Sequence, residues 1–506
     1  MEELPKEIVS EIIDHCDFLS KIRFSSLNKF YSKNIEITNL LNISKRFTYN
    51  LNDKIISQSK YKNLKKLRAD NKITQQGISK LNLIELNAYD NNKIKNVSFM
   101  KNLKKLNASY LCGINQKGIE GLDLIELNVS YNEKIKDVSS IKNLKILNAR
   151  GTNCGIDQNG INSLDLIELD VANNPKIKNV TFMKNLKILY ACAFFEISNI
   201  GCGIDQKGIQ QISFSKNEIN AEHYTLTRNI EGLDLIELHI GGNDKIKNIA
   251  FMKNLKILDA SENCGIDQKG IIGLDLIELN ASCNQKINNV SSMKNLRKLD
   301  AGYSCGINQN GIVGLDLVEL IVCCNEKINN VSFMKNLKIL YANNNCGINQ
   351  KGITGLDLIE LYAVRNENIN DVSFMKKLKR LDAGDSSGID QKGIKGLDLV
   401  ELYACNNEKI NNVSFMKKLK ILHAGEDCGI DQTGITDLDL IELNINNNKK
   451  INDVSFMKNL KKLDAKEDCD INQKGIVSLN LIELNVSNNK KIYDVSFMKN
   501  LKKLVV

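Results

Sequence analysis

The chain has 506 residues, 42% apolar and 25% charged, a balance that builds a packed core and excludes a disordered chain. Lys and Arg number 69 against 60 Asp and Glu, and the +9 excess is spread along the length rather than gathered into the patch a nucleic-acid binder needs. No run of 18 apolar residues exists, so no segment reads as a membrane span, and residues 1–10 lack the basic-then-apolar order of a secretory signal.

Residues 1–40 have their own texture. Pro5 suits the first turn of a helix, and Ile8 and Ile12 share a face at i, i+4. A second apolar stretch follows over residues 18–31, with Leu19, Ile22, Leu27 and Phe30. Two or three short helices of this length cannot bury enough surface to stand alone, so they are expected to pack on the array behind them or on a partner.

From about residue 44 the chain repeats. Leu-(Ile/Val)-Glu-Leu recurs with its Glu at 85, 126, 168, 237, 278, 319, 360, 401, 442 and 483, mostly at 41-residue intervals. A second element, Leu-Lys/Arg-x-Leu, lies between, so each period is two alternating coils of about 20 and 21 residues. The first coil type reads Leu276-x-x-Leu279-x-Ala281-x-x-Asn284, the second Leu296-x-x-Leu299-x-Ala301 and then Cys305-Gly-Ile-Asn-Gln-x-Gly-Ile. Leu279 and Ala281 alternate as inward residues of a short strand. The Asn is expected to satisfy backbone groups at the bend that follows. The same template, through Phe47, Tyr49 and Asn52, adds an eleventh rung upstream. One interval is 69 residues long, and within its excess residues 209–232 read either as an irregular extra coil or as a plain surface loop.

Several motifs look chemical. Eight cysteines recur once per two coils, roughly 10 Å apart at the inter-strand spacing, too far for a disulfide's Cα separation of about 4.4–6.8 Å. With no CxxC pair, they read as buried reduced thiols rather than zinc ligands. Gly-Ile-Asp-Gln-Lys-Gly lacks the Gly-Lys-Ser/Thr ending of a phosphate loop and reads as a turn. Among four histidines only His423, near Cys428, offers a nucleophile–base pair. No cofactor or metal is expected, and no enzymatic activity.

On the strand face, the Glu row never varies and so reads as structural, with cross-strand charge pairs such as Glu360 with Arg380. The next row varies. It places Tyr341, Tyr362, Asp382, Tyr403 and His423 on five successive coils, with Arg365 three residues after Tyr362. Such a row suits a partner-binding hot spot, although Tyr also simply favours strand surfaces. The chain ends on Leu-Val-Val within a strand pattern, an edge expected to fray or be covered.

Both coil types resemble leucine-rich repeats, and the second resembles the cysteine-containing class often found behind an F-box. Residues 1–40 resemble an F-box, with Leu-Pro-x-Glu-Ile at the start and Ser26-Leu-Asn-Lys-Phe-Tyr31 at the end, though Phe30 or Tyr31 stands where the family has Trp. The resemblance implies an α/β solenoid of about 22 coils over 44–506, with a concave parallel sheet and an irregularity at 192–232. It implies that Leu4, Pro5, Ile8, Ile12, Phe18, Leu19 and Leu27 grip the Skp-family adaptor of a cullin–RING ubiquitin ligase. The concave face would hold a protein target, as the non-catalytic substrate receptor of that ligase. The alternative is an interaction scaffold or inhibitor without ligase coupling. Similar F-box repeat proteins occur in large DNA viruses and their protist hosts, so the expected location is cytoplasm, a host's if the source is viral. Neither nucleic acid nor membrane is an expected partner.

Overall fold

The computed structural model describes residues 37–41, 51–58, 61–193, 201–213 and 229–506. The adaptor-contact residues expected in 1–36 lie outside them. Two compact units are present, one running to Leu255 and including Cys264–Ile266, the other made of Lys256–Asn263 and Asp267–Val506.

Each unit is a solenoid of repeating coils, with one short strand per coil. In the first unit nine strands, from Asn39–Leu40 to Glu237–His239, form a parallel ladder. In the second, thirteen strands run in register from Ile257–Asp259 to Lys503–Val505. The period-2 pattern dictates what is inside. In the strand Ile339–Tyr341, Leu340 is fully buried while its two neighbours are half-exposed, and Leu337 and Ala342 join the core.

The return path of each coil is shorter and less helical than an α/β solenoid implies. Among the described residues the α-helices are the four-residue Asp53–Ile56, Gln75–Ile78 and Gln206–Ile209, and the other helical turns are 3-10, such as Gln309–Ile312. A coil of about 20 residues leaves no length for more, and the Gly within each turn disfavours an α-helix by about 1 kcal/mol.

Side-chain clamps tie each second-type coil to the first-type coil after it, an Asn and a Gln at the seam of Asn366 and in most seams also a Lys, whose place at that seam is taken by Asn368. Asn366, fully buried, donates from Nδ2 to the carbonyls of Ala342 (2.9 Å) and Ile348 (3.1 Å), while its Oδ1 accepts from the Asn368 N–H (3.0 Å). Gln350 Oε1 accepts from the N–H groups of Asn370 (3.0 Å) and Asp371 (2.9 Å), and its Nε2 donates to the Asp371 carbonyl (2.8 Å). Lys327 Nζ donates to the Cys305 carbonyl (3.0 Å). The Gln of Gly-Ile-Asp/Asn-Gln-x-Gly-Ile is thus an inter-coil strap. The second Gly is required by packing: a Cβ on Gly352 would collide with the Asn329 carbonyl oxygen of the adjacent coil.

Two expectations change. The rung beside Lys66–Arg68 is Asn39–Leu40, inside the stretch assigned to helices, so the ladder starts before residue 44. Asn52 acts as a helix N-cap, accepting from the Ile55 N–H (3.1 Å), a role set by the helix Asp53–Ile56 that follows it. Residues 209–232 add no rung: Glu237–His239 pairs directly with Ile188–Tyr190. Ile209 is the buried closing residue of the previous turn and is not free to open a new coil. The chain instead makes an antiparallel pair, Gln210–Ser213 with Asn229–Gly232.

Candidate functional site

The varied row expected from the sequence forms one continuous ladder in the second unit. Register aligns Tyr341 with Tyr362, Tyr362 with Asp382, Asp382 with Tyr403 and Tyr403 with His423. Tyr341 and Tyr362 stack, centroids 4.2 Å apart and planes 8° apart. Asp382 is too short to continue the stack. Arg380, two residues earlier on the same strand, fills the opening, its guanidinium carbon 5.2 Å from the Tyr362 ring centre and 4.9 Å from that of Tyr403. Tyr403 then meets the His423 ring at 4.5 Å. Five successive rungs therefore read ring, ring, cation, ring, ring.

Carboxylates from the Glu row hold this ladder in place. The Tyr362 hydroxyl donates to Glu360 Oε2 (2.8 Å) and the Tyr403 hydroxyl to Glu401 Oε2 (3.3 Å). His423 Nε2 lies 3.4 Å from Glu442 Oε1. Burial, and next the bond to Glu360, raises the pKa of the Tyr362 hydroxyl. Burial also raises that of the Asp382 carboxyl, against the Gly384 N–H and Arg380.

The expected Glu360–Arg380 pair is replaced by Arg380–Glu401, at 3.4 Å. Glu360 instead takes the Tyr362 hydroxyl, and the guanidinium turns toward Tyr403. Arg365 also departs from the expected strip. It sits on the turn after its strand at φ 54°, 66% exposed, ion-paired with Asp385 (3.0 Å). There it lines a separate groove with Asn345, Glu367, Asp385, Glu408 and Asp427. His423 and Cys428 form no nucleophile–base pair, because Cys428 is fully buried and burial pushes its thiol up to about 12.

Arg380, Glu360 and Glu401 were legible as a charge row but not as parts of the ladder. The available signal was the small Asp382 between two tyrosines, beside the only Arg in the alternate-coil position of the Glu row. A second cluster in the first unit escaped the sequence entirely: Tyr190 stacks on His239 (4.5 Å, 15°), and His239 Nε2 is 2.6 Å from Glu237 Oε1. These rings are neighbours only because the ladder skips residues 191–236.

No family model matches the chain, and no curated protein sequence matches it. Among solved structures, a TLR13–ssRNA13 complex is similar over 93% of this chain and 79% of that one, at 17% identity and a TM-score of 0.45. CroV588, a circular leucine-rich-repeat protein, is similar over 90% and 73%, at 13% identity and a TM-score of 0.41. InlJ of Listeria monocytogenes is similar over 80% and 70%, at 17% identity and a TM-score of 0.29.

Proposed function

We propose that this chain is the non-catalytic substrate receptor of a cullin–RING ubiquitin ligase. In this reading residues 1–36 dock on a Skp-family adaptor, and the ladder face of the second unit holds a protein target. The observation that carries the target half is the half-exposed ladder Tyr341–Tyr362–Arg380–Tyr403–His423, since aromatic and Arg side chains preorganised on a rigid sheet are what interface hot spots use. The adaptor half rests on the Leu4-Pro5-x-Glu7-Ile8 motif standing just ahead of the array. The alternative is a scaffold with the same target face and no ligase coupling.

The test is capture of a purified Skp-family adaptor by the full chain, by a 37–506 truncation and by a Leu4→Ala, Pro5→Ala, Ile8→Ala variant. The truncation starts at 37 so that the strand Asn39–Leu40 keeps its place in the ladder. Capture by the full chain alone is the expected result. Capture by none of the three overturns the ligase half and leaves the scaffold.

A further inference from the structure

Resting on the reading that this ladder face holds a protein, we infer that the partner presents a basic polyproline-II segment with Arg or Lys at every third position.

The first argument is charge. The chain carries +9 overall, yet the ladder is acidic. The alternate-coil position of the Glu row is Lys298 and Lys462 at its two ends, and these pair with Glu319 (3.1 Å) and Glu442 (3.5 Å). Between them that position is Ile339, Arg380 and Ile421, so Glu360, Asp382 and Glu401 face a single cation. The turn groove beside the ladder extends the same sign, with Glu367, Asp385, Glu408 and Asp427 against Arg365. A cationic partner complements this face and an anionic one is repelled.

The second argument is spacing. The Glu row recurs every second rung, which at about 4.8 Å per rung is roughly 10 Å. A polyproline-II helix rises about 3.1 Å per residue with three residues per turn, so every third side chain points the same way at about 9.3 Å intervals. An extended β-strand cannot do this, because residues i and i+3 point to opposite sides. The match selects the conformation as well as the composition.

The third argument is the slot itself. Tyr362 and Tyr403, two rungs apart, already hold the guanidinium of Arg380 between their rings. The rings and the carboxylates behind them therefore accept a planar cation, and further cations reach the same kinds of surface at Tyr341 and His423. Single-stranded RNA would find rings to stack on, but its phosphates would meet the carboxylates.

The experiment is fluorescence anisotropy with the full chain and labelled peptides of about twelve residues. One has Arg at every third position among Pro and Ser, one has the same composition with the arginines adjacent, and one has Glu in place of Arg. A single-stranded RNA oligonucleotide is the fourth probe. The expected result is that the spaced basic peptide binds about tenfold tighter than the clustered one. A Glu360→Gln, Glu401→Gln variant should lose about tenfold, and Tyr341→Ala should also weaken binding. An Asp357→Asn, Asp398→Asn variant makes the same charge change at ion pairs with Lys377 and Lys418 and should leave binding intact. Equal binding of the two basic peptides, or equal loss in both double variants, overturns the inference in favour of diffuse charge. Tyr341-dependent binding of the acidic peptide overturns the basic assignment while the protein-binding face stands. Tyr341-dependent binding of the RNA alone overturns both, and binding of no probe overturns the inference. The ligase half fails or survives separately, on adaptor capture.

Discussion

Replacing Asn366 by Ala tests the main strut of the fold. The side chain is fully buried and bonds two carbonyls and one N–H at 2.9, 3.1 and 3.0 Å, with a further 3.4 Å contact to Cys346 Sγ, so its removal leaves two carbonyls and one N–H without that partner. At about 1–2 kcal/mol for each of the three groups, the lower part of the range for an unsatisfied buried polar group because Asn368 is exposed and water can reach its N–H, the loss is about 3–6 kcal/mol. In a solenoid the damage should stay with the neighbouring coils, because stability is a sum over adjacent repeats. A single global unfolding energy therefore does not locate the damage. Hydrogen–deuterium exchange read by mass spectrometry resolves the location. Amides of residues 342–350 and 366–371 should exchange about 100-fold to 10,000-fold faster, at about 1.4 kcal/mol per decade, with exposed Asn368→Ala as the control. Acceleration below about tenfold, or acceleration spread evenly over 257–506, would refute the argument that this side chain bolts one seam.

Two further outcomes follow from the same packing. Gly352→Ala should destabilise its coil by about 1–3 kcal/mol through overpacking, since the new methyl meets the Asn329 carbonyl, and a variant with wild-type melting and exchange would contradict the close approach. Burial raises the Cys346 thiol from 9.0 to about 12, so above pH 9 the unfolded chain loses a proton that the folded chain keeps. Stability then falls as pH rises from 9 to 12, by about 1.4 kcal/mol per pH unit for such a thiol, and Cys346→Ser should flatten the slope in pH-dependent denaturation. Ser387 already occupies this position in another coil, accepting from the Ile389 N–H, so the substitution is tolerable. An unchanged slope would remove the thiol from the account.

The coil was readable because its determinants are local. Leu340 and Ala342 declare a strand by their spacing, and Asn366 marks the bend three residues after Ala363, the last inward residue of the next strand pattern. What escaped notice depends on partners about 20 residues away. Gln350 reads as a turn residue until the neighbouring coil supplies the N–H groups it holds. Register placed Arg380 between Glu360 and Glu401, but a long side chain chooses among neighbours by what else competes, and here the Tyr362 hydroxyl took Glu360 first. Asn39–Leu40 is a two-residue rung without the Leu-x-x-Leu-x-Ala frame, so no periodicity announced it. The excursion before Leu233 mimicked the repeat signature because Ile209 ends one turn and only looks like the start of the next.

The clamps also bear on how such a gene can change length. Asn366, Gln350 and Lys327 all act across the seam between a second-type coil and the first-type coil after it. Recombination that removed or added one coil would set two like coils side by side, with a glutamine facing no strap site and a buried asparagine facing the wrong carbonyls. Exchange in whole pairs restores every bond. The 41-residue period is thus the smallest step by which unequal crossover can lengthen or shorten this array and still leave a foldable product.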